Sequence, residues 1–216
     1  MFILVVAKEP VPGRVKTRLC PPCTRAQAAT IAEAALADTF HAAQGAGADR
    51  VIVALDGEPG PWLPAGTTVI PQAEGSFEHR LARAWAEATT VADGPGIQIG
   101  MDTPQLTSAD LDDAMNRLTQ PGTDAVLGPA TDGGWWLIGF HPTVEPTRVF
   151  AGIPMSTAET GRAQRRRMSE LAQRVHLLAT MTDVDEFDDA RLLARAAPTT
   201  RFAAEVNAVE QVVART

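Results

Sequence analysis

Residues Phe2-Ile3-Leu4-Val5-Val6-Ala7 form an unbroken apolar run, and Val51-Ile52-Val53-Ala54-Leu55 repeats it. A strand that is apolar on both faces must be covered on both faces, which places it inside a parallel sheet flanked by helices. Shorter stretches at Thr67–Ile70, Ile97–Gly100, Asp124–Leu127, Trp135–Phe140 and Val175–Leu178 predict further strands. Helical periodicity fills the gaps. Thr24 to Ala43 is rich in Ala and has Thr24 as its N-cap. Phe77 to Ala92 puts Leu81, Ala84, Trp85 and Ala88 on one face. Thr107 to Leu118 opens on Thr-Ser-Ala-Asp, a variant of the capping box, and Ser156-Thr157-Ala158-Glu159 is a cleaner one, predicting a helix to about Arg174. Glu186–Ala196 and Phe202–Val213 complete the set. Strands alternating with helices predict an α/β layer fold with a mainly parallel central sheet and helices on both faces.

A chain of 216 residues suits a single domain with a substantial core. Residues 1–197 are expected to form that domain, with Pro198 setting off a helical extension over 198–216. The formal net charge of -7 disfavours a nucleic-acid binder. It leaves room for a small anionic substrate, because the local field of a cleft outweighs the total. No apolar run is long enough to span a bilayer. Phe2–Ala7 lacks a preceding basic region and stops at Lys8, so it reads as a strand and not as a signal peptide. Cys20 and Cys23 form Cys-Pro-Pro-Cys. Zinc would need more ligands, and a thioredoxin-like motif should open a helix directly after a strand, so the pair reads as two small apolar side chains beside a turn. A cytoplasmic location is the simplest expectation.

Open α/β sheets bind ligands at the carboxyl ends of their strands, and four segments lie there. After the first strand, Lys8, Arg14, Lys16 and Arg18 place four cations within eleven residues. Gly13 allows close approach of the backbone, Arg offers bidentate phosphate contacts, and Lys offers a point charge. The spacing is neither a Walker A loop nor a G-x-G-x-x-G fingerprint, and by composition the segment reads equally as a solvated basic loop. Gly100-Met101-Asp102-Thr103-Pro104 puts a carboxylate at a strand end, held extended by the proline. That suits Mg²⁺ or Mn²⁺ completed by phosphate oxygens and water, although the same residues also read as a turn into the next helix. Asp132-Gly133-Gly134 reads as a hairpin turn, and its glycines could also admit a ligand. Trp135 and Trp136 then face opposite sides of their strand. Asp183-Val184-Asp185 could supply a second metal carboxylate or simply cap the helix that follows. His41, His79, His141 and His176 are scattered, and Arg165-Arg166-Arg167 reads as a solvated helical face.

Taken in order, these segments resemble a bacterial family of glycosyltransferases of the GT-A type, the arsenosugar-type or radical-SAM/selenodomain-associated transferases known as DUF2064. The resemblance rests on Ala7-Lys8-Glu9-Pro10-Val11-Pro12-Gly13-Arg14-Val15-Lys16-Thr17-Arg18-Leu19, on Gln72 with Gly75, on Gly100 to Pro104, Gly128 to Gly139, Ile153 to Thr157, and Asp183 to Asp185. It extends to about Leu193. The chain is similar, more distantly, to 2-phospholactate guanylyltransferase. The resemblance implies a single-domain GT-A-like nucleotide-diphosphosugar transferase fold. It implies that Ala7, Lys8, Gly13, Arg14, Lys16 and Arg18 surround a nucleotide, with Gln72 and Gly75 near its base. Asp102 and Asp185 would hold the metal, and Asp132, Gly133, Gly134 and Trp135 would border the acceptor or sugar pocket. Asp102, Lys16 and Asp132 are the expected catalytic residues.

The sequence departs from the family pattern at several places. Met101 stands in place of Ser, Trp135 and Trp136 in place of tyrosines, and Met155 in place of Trp. Glu78-His79 replaces Gly-Glu before Arg80, and Glu-Phe-Asp-Asp follows Asp185. These changes bear on acceptor specificity more than on the metal. Three functions follow as expectations. The first is metal-dependent glycosyl transfer from a nucleotide sugar to a small acceptor, the metal stabilising the departing diphosphate. The second is nucleotidyl transfer from a nucleoside triphosphate. The third is nucleotide binding without catalysis. No membrane or nucleic-acid partner is expected.

Overall fold

The computed structural model describes residues 1–214. Among them, seven strands form one sheet in the order β3-β2-β1-β4-β6-β5-β7. They are β1 (Phe2–Lys8), β2 (Arg50–Asp56), β3 (Thr68–Pro71), β4 (Gly96–Ile99), β5 (Ala125–Pro129), β6 (Trp135–Phe140) and β7 (Val175–Leu177). The helices are α1 (Arg25–Gly45), α2 (Phe77–Val91), α3 (Ser108–Leu118), α4 (Pro146–Phe150), α5 (Thr160–Glu170), α6 (Phe187–Ala196) and α7 (Arg201–Val213). Only β6 runs against its neighbours, β4 and β5; the pairs β1–β2, β1–β4, β2–β3 and β5–β7 are parallel. This is the α/β fold expected of the sequence.

The apolar run of β1 explains the layers. Ile3, Val5 and Ala7 join Leu36 and Phe40 of α1 and Leu111 and Met115 of α3 on one face. Phe2 and Leu4 point the other way, to Leu81 and Trp85 of α2 and Phe150 of α4. Successive residues therefore fill opposite cores, as a period of two requires. A third cluster lies outside the first layer, where Ala28, Ile31 and Ala35 of α1 meet Leu193 of α6 and Phe202, Val206 and Val209 of α7. Helix α1 is thus buried on two sides, and small alanines let both neighbours approach. Asp38 in α1, 9% exposed, accepts backbone hydrogen bonds from Arg201 (3.2 Å) and Phe202 (2.9 Å) and so seats the start of α7.

Two elements differ from expectation. The helix anticipated from Ser156 begins instead at Thr160. Ser156 has φ 59°, in the left-handed region, which interrupts a helix. The capping groups shape a loop here: Thr157 Oγ1 accepts from Glu159 N (3.2 Å), and Thr160 Oγ1 donates to the Pro154 carbonyl (2.7 Å). Helix α4, only five residues long and opened by Pro146, was too short to show a period. The N-caps at Thr24 and Thr107 form as expected, each reciprocated three residues on, by Gln27 and Asp110.

Candidate functional site

The carboxyl ends of β1 and β4, the loops after β3, β5 and β7, the start of α2 and the loop before α5 surround a cleft of about 670 Å³, and the carboxyl end of β2 lies at its edge. Its two ends carry opposite charge. At one end Asp56, the last residue of β2, faces Lys8 Nζ at 3.3 Å, Arg14 at 3.6 Å and Arg80 at 3.8 Å. Three cations thus share one carboxylate. These pairs are long and partly exposed, each worth about 0–1 kcal/mol, so an incoming phosphate meets little competition.

At the other end lie four carboxylates and two cations. The Val184 amide donates to the Asp102 carbonyl (2.9 Å), which pins the segment after β7 beside the loop after β4. Lys16 reaches across, its Nζ 2.5 Å from Asp102 Oδ1 and bonded to the Val184 carbonyl. Its side chain is only 9% exposed, so this cation sits inside the wall. Its backbone has φ 47°, a left-handed conformation uncommon for a residue other than glycine. Arg18 Nη1 lies 3.2 Å from Asp185 Oδ2. Burial pushes the Asp183 carboxyl up to about 6, and the carboxylates of Asp132, then Asp185 and Asp102, push it the same way against a backbone hydrogen bond.

The donor set at this end fits a hard divalent cation. It consists of carboxylate oxygens, and three of these groups raise the proton affinity of Asp183, a repulsion that a cation would relieve. Among the described residues no three acidic, His or Cys side chains converge to hold an ion by themselves.

The cleft is lined by Ala7, Lys8, Arg14, Lys16, Arg18, Gln72, Asp102, Asp132, Gly134, Trp135 and Asp185 among the residues singled out in the sequence. Three of the expected glycines do not line it. Gly13 turns the backbone at φ 81° with its α-carbon toward Arg25, and Gly75, φ 109°, lies against His79. At Gly133 a Cβ would come within 2.2 Å of the Ala158 carbonyl oxygen, so this glycine lets the Ser156 loop close onto the β5–β6 hairpin. Gln72 lines the cleft but its hydrogens are committed: Nε2 donates to the carbonyls of Ala7 (2.8 Å) and Ala54 (2.9 Å), while Oε1 accepts from Arg80 (3.1 Å). As bound here it braces β1, β2 and Arg80 and has little left to offer a base. Asp132 accepts from Gly134 N at 2.7 Å through Oδ1. Both tryptophans touch the cleft, but Trp136 is buried and tied to the Ala179 carbonyl (2.9 Å).

Four cleft or cleft-edge residues with charged or amide side chains were not among the expected site residues. Asp56 closes the apolar run of β2 as Lys8 closes that of β1, and this position was a readable signal. Asp183 shared a motif with Asp185. Arg80 sits within a helical pattern, and Gln98 is the one polar residue in β4; neither has a local feature that distinguishes it from an ordinary surface or core residue.

The fold is a seven-stranded α/β sheet with a cleft at its strand ends. The chain belongs to the family of uncharacterised proteins conserved in bacteria, DUF2064, which it matches over residues 25–157. No curated protein matches it in sequence. Among solved structures it is similar to a protein of Desulfovibrio desulfuricans G20 provisionally described as a nucleotide-diphospho-sugar transferase. The two share 24% identity over 99% of this chain and 96% of the other, with a TM-score of 0.89. It is also similar in fold to Rv0371c of Mycobacterium tuberculosis H37Rv, solved as a manganese complex (22% identity, 90% and 98% covered, TM-score 0.54). The 2-C-methyl-D-erythritol 4-phosphate cytidylyltransferase of Thermus thermophilus shares the fold at 15% identity, 92% and 100% covered, TM-score 0.55.

Proposed function

We propose that the protein is a divalent-metal-dependent transferase that uses a nucleotide-activated substrate, with glycosyl transfer from a nucleotide sugar as the leading form. The observation that carries this reading is the division of charge in one cleft: three cations about Asp56 at one end, and at the other four carboxylates about Asp183, two of them paired with Lys16 and Arg18. A nucleoside diphosphate needs cations for its oxygens, and a hard metal needs carboxylates; this cleft offers both within reach of one ligand. Lys8 and Arg14 would bind phosphate oxygens. Lys16, fixed by Asp102 and the Val184 carbonyl, would hold a positive charge at the junction of the two ends. Asp102 and Asp185 would hold Mg²⁺ or Mn²⁺, which when bound supplies Lewis acidity at the departing diphosphate. Asp132 keeps Oδ2 free of backbone bonds and is the residue to accept a proton from the acceptor. The manganese complex of Rv0371c and the description of the Desulfovibrio protein support the metal and the substrate class.

Nucleotidyl transfer is the second reading, favoured by one observation. Lys16 and Arg18 belong to the same short loop and cover both proposed metal carboxylates, an arrangement suited to the larger charge of a triphosphate. A thermal-shift panel of nucleoside triphosphates and nucleotide sugars, with and without Mn²⁺, separates the two, because stabilisation follows occupancy. Diphosphosugars stabilising most, and only with metal, is the expected result. Triphosphates ranking first would move the assignment to nucleotidyl transfer. No metal-dependent stabilisation by either class would overturn both readings.

A further inference from the structure

Two buried side-chain nitrogens have no hydrogen-bond partner among the described residues, Arg80 Nε and Trp135 Nε1. The other buried side-chain atoms in that condition are oxygens, and they belong to residues outside the cleft lining. Arg80 and Trp135 both line the cleft, and so does Gln98, whose side chain is 2% exposed. Trp85 Nε1 takes the Gln98 Oε1 at 2.6 Å, so what Gln98 has left to offer is chiefly its amide N–H groups. The three come from α2, β4 and β6, and only the tertiary fold brings them to one cleft. Buried donors in folded proteins are paired almost without exception, so a set of orphans at a ligand cleft marks a partner that arrives with the ligand.

The chemistry of that partner follows from the donors. Arg80 commits Nη1 to Gln72 Oε1 at 3.1 Å, and its Cζ lies 5.1 Å from the centre of the Phe77 ring. The edge that remains carries Nε, and that edge of a guanidinium pairs side-on with the two oxygens of a carboxylate. An indole N–H and an amide N–H add neutral donors. One formal charge, several donors and an aromatic wall suit a planar monoanion; a phosphate dianion is better matched by Lys8 and Arg14, the other two cations beside Asp56.

We propose that Arg80, Gln98 and Trp135 form a carboxylate-binding subsite, and that the acceptor of the transfer is a hydroxy acid: its carboxylate is held there while one of its hydroxyl oxygens bonds to the sugar carbon, the bond from that carbon to the nucleoside diphosphate breaks, and the hydroxyl proton passes to Asp132. The second half rests on the transferase reading above; the first half does not. The test uses the full-length protein and three probes of one ring type: glucuronate, glucose and glucose 1-phosphate. Binding is followed by calorimetry and by the Trp135 indole N–H resonance, assigned through its loss in Trp135→Phe. Glucuronate is expected to shift that resonance and to bind at least about tenfold more tightly than either other probe, with Trp135→Phe and Arg80→Lys each reducing the preference over glucose by about tenfold, or 1.4 kcal/mol. The subsite is overturned if glucuronate leaves the resonance unmoved, if glucose 1-phosphate binds best, or if both variants keep the preference. Glucuronate binding without any response to nucleotides would leave the subsite standing and remove the acceptor assignment with the transferase reading. A nucleotide response without glucuronate binding would overturn the subsite alone.

Discussion

At Asp102 the backbone and the side chain do separate work. The carbonyl accepts from Val184 N and holds two loops together, while the carboxylate faces Lys16 and the cleft. Asp102→Asn keeps the first and removes the charge of the second. It is expected to fold normally and to lose metal-dependent nucleotide affinity by at least about a hundredfold, measured by calorimetry with Mn²⁺; retention of full affinity would remove Asp102 from the metal set. Gly133 is a structural counterpart. With φ 91° and the Ala158 carbonyl where a Cβ would sit, Gly133→Ala should cost about 1–3 kcal/mol of stability, read as a lower urea midpoint. An unchanged midpoint would mean that the Ser156 loop yields freely. The sequence pointed to both residues, but it assigned Gly133 to the pocket, where the contacts assign it to loop packing.

At the scale of elements, short side-chain anchors decide how peripheral pieces attach. Asp38 receives the first amides of α7 and the Arg201 guanidinium at 3.3 Å. Asp38→Ala leaves those donors without an acceptor and is expected to lower stability by about 2 kcal/mol, as loss of a strong helix cap does. In a chain of this length that corresponds to roughly 4–8 °C in Tm. Asp124 does similar work at the start of β5, where Arg174 Nε and N lie 2.9 and 2.8 Å from Oδ2. The hydrogen bonds from the Arg174 side chain, then from its backbone, hold the Asp124 carboxyl down to about 2. Its stabilising effect is therefore complete above the unfolded carboxyl value, about 4, and disappears as pH falls toward the folded one. The stability gap between wild type and Asp124→Asn should close across that acid window; a gap that persisted to its lower end would show that the pair acts through packing alone. These anchors join residues far apart in the chain, so no local pattern announces them. An N-cap threonine announced α1 and a capping-box variant α3, but the same chemistry at Ser156 built a loop, because a left-handed residue intervened.

Across the whole molecule, helix α7 completes a core and does not simply trail from one. Phe202, Ala203, Val206 and Val209 are buried against α1 and α6. We therefore expect that deleting residues 198–216 will expose the third cluster and yield an aggregating or unfolded chain, checked by size-exclusion chromatography and circular dichroism. A well-folded monomer would support a boundary at Pro198. The apolar runs, the helical periods and the threonine caps were enough to determine strand and helix order, because each is a local property of a few neighbouring side chains. The carboxyl-end loops were likewise legible, since their charges stand directly after apolar strands. What only the tertiary structure decided is which of those charges oppose one another: Asp56 against Lys8, Arg14 and Arg80, and Lys16 against Asp102. It also decided that Arg80, Gln98 and Trp135 line one cleft. The reason is physical. A sheet order of β1 beside β4, and β4 beside an antiparallel β6, is set by how distant apolar faces pack together, and the meeting of remote polar groups at the strand ends is a consequence of that packing.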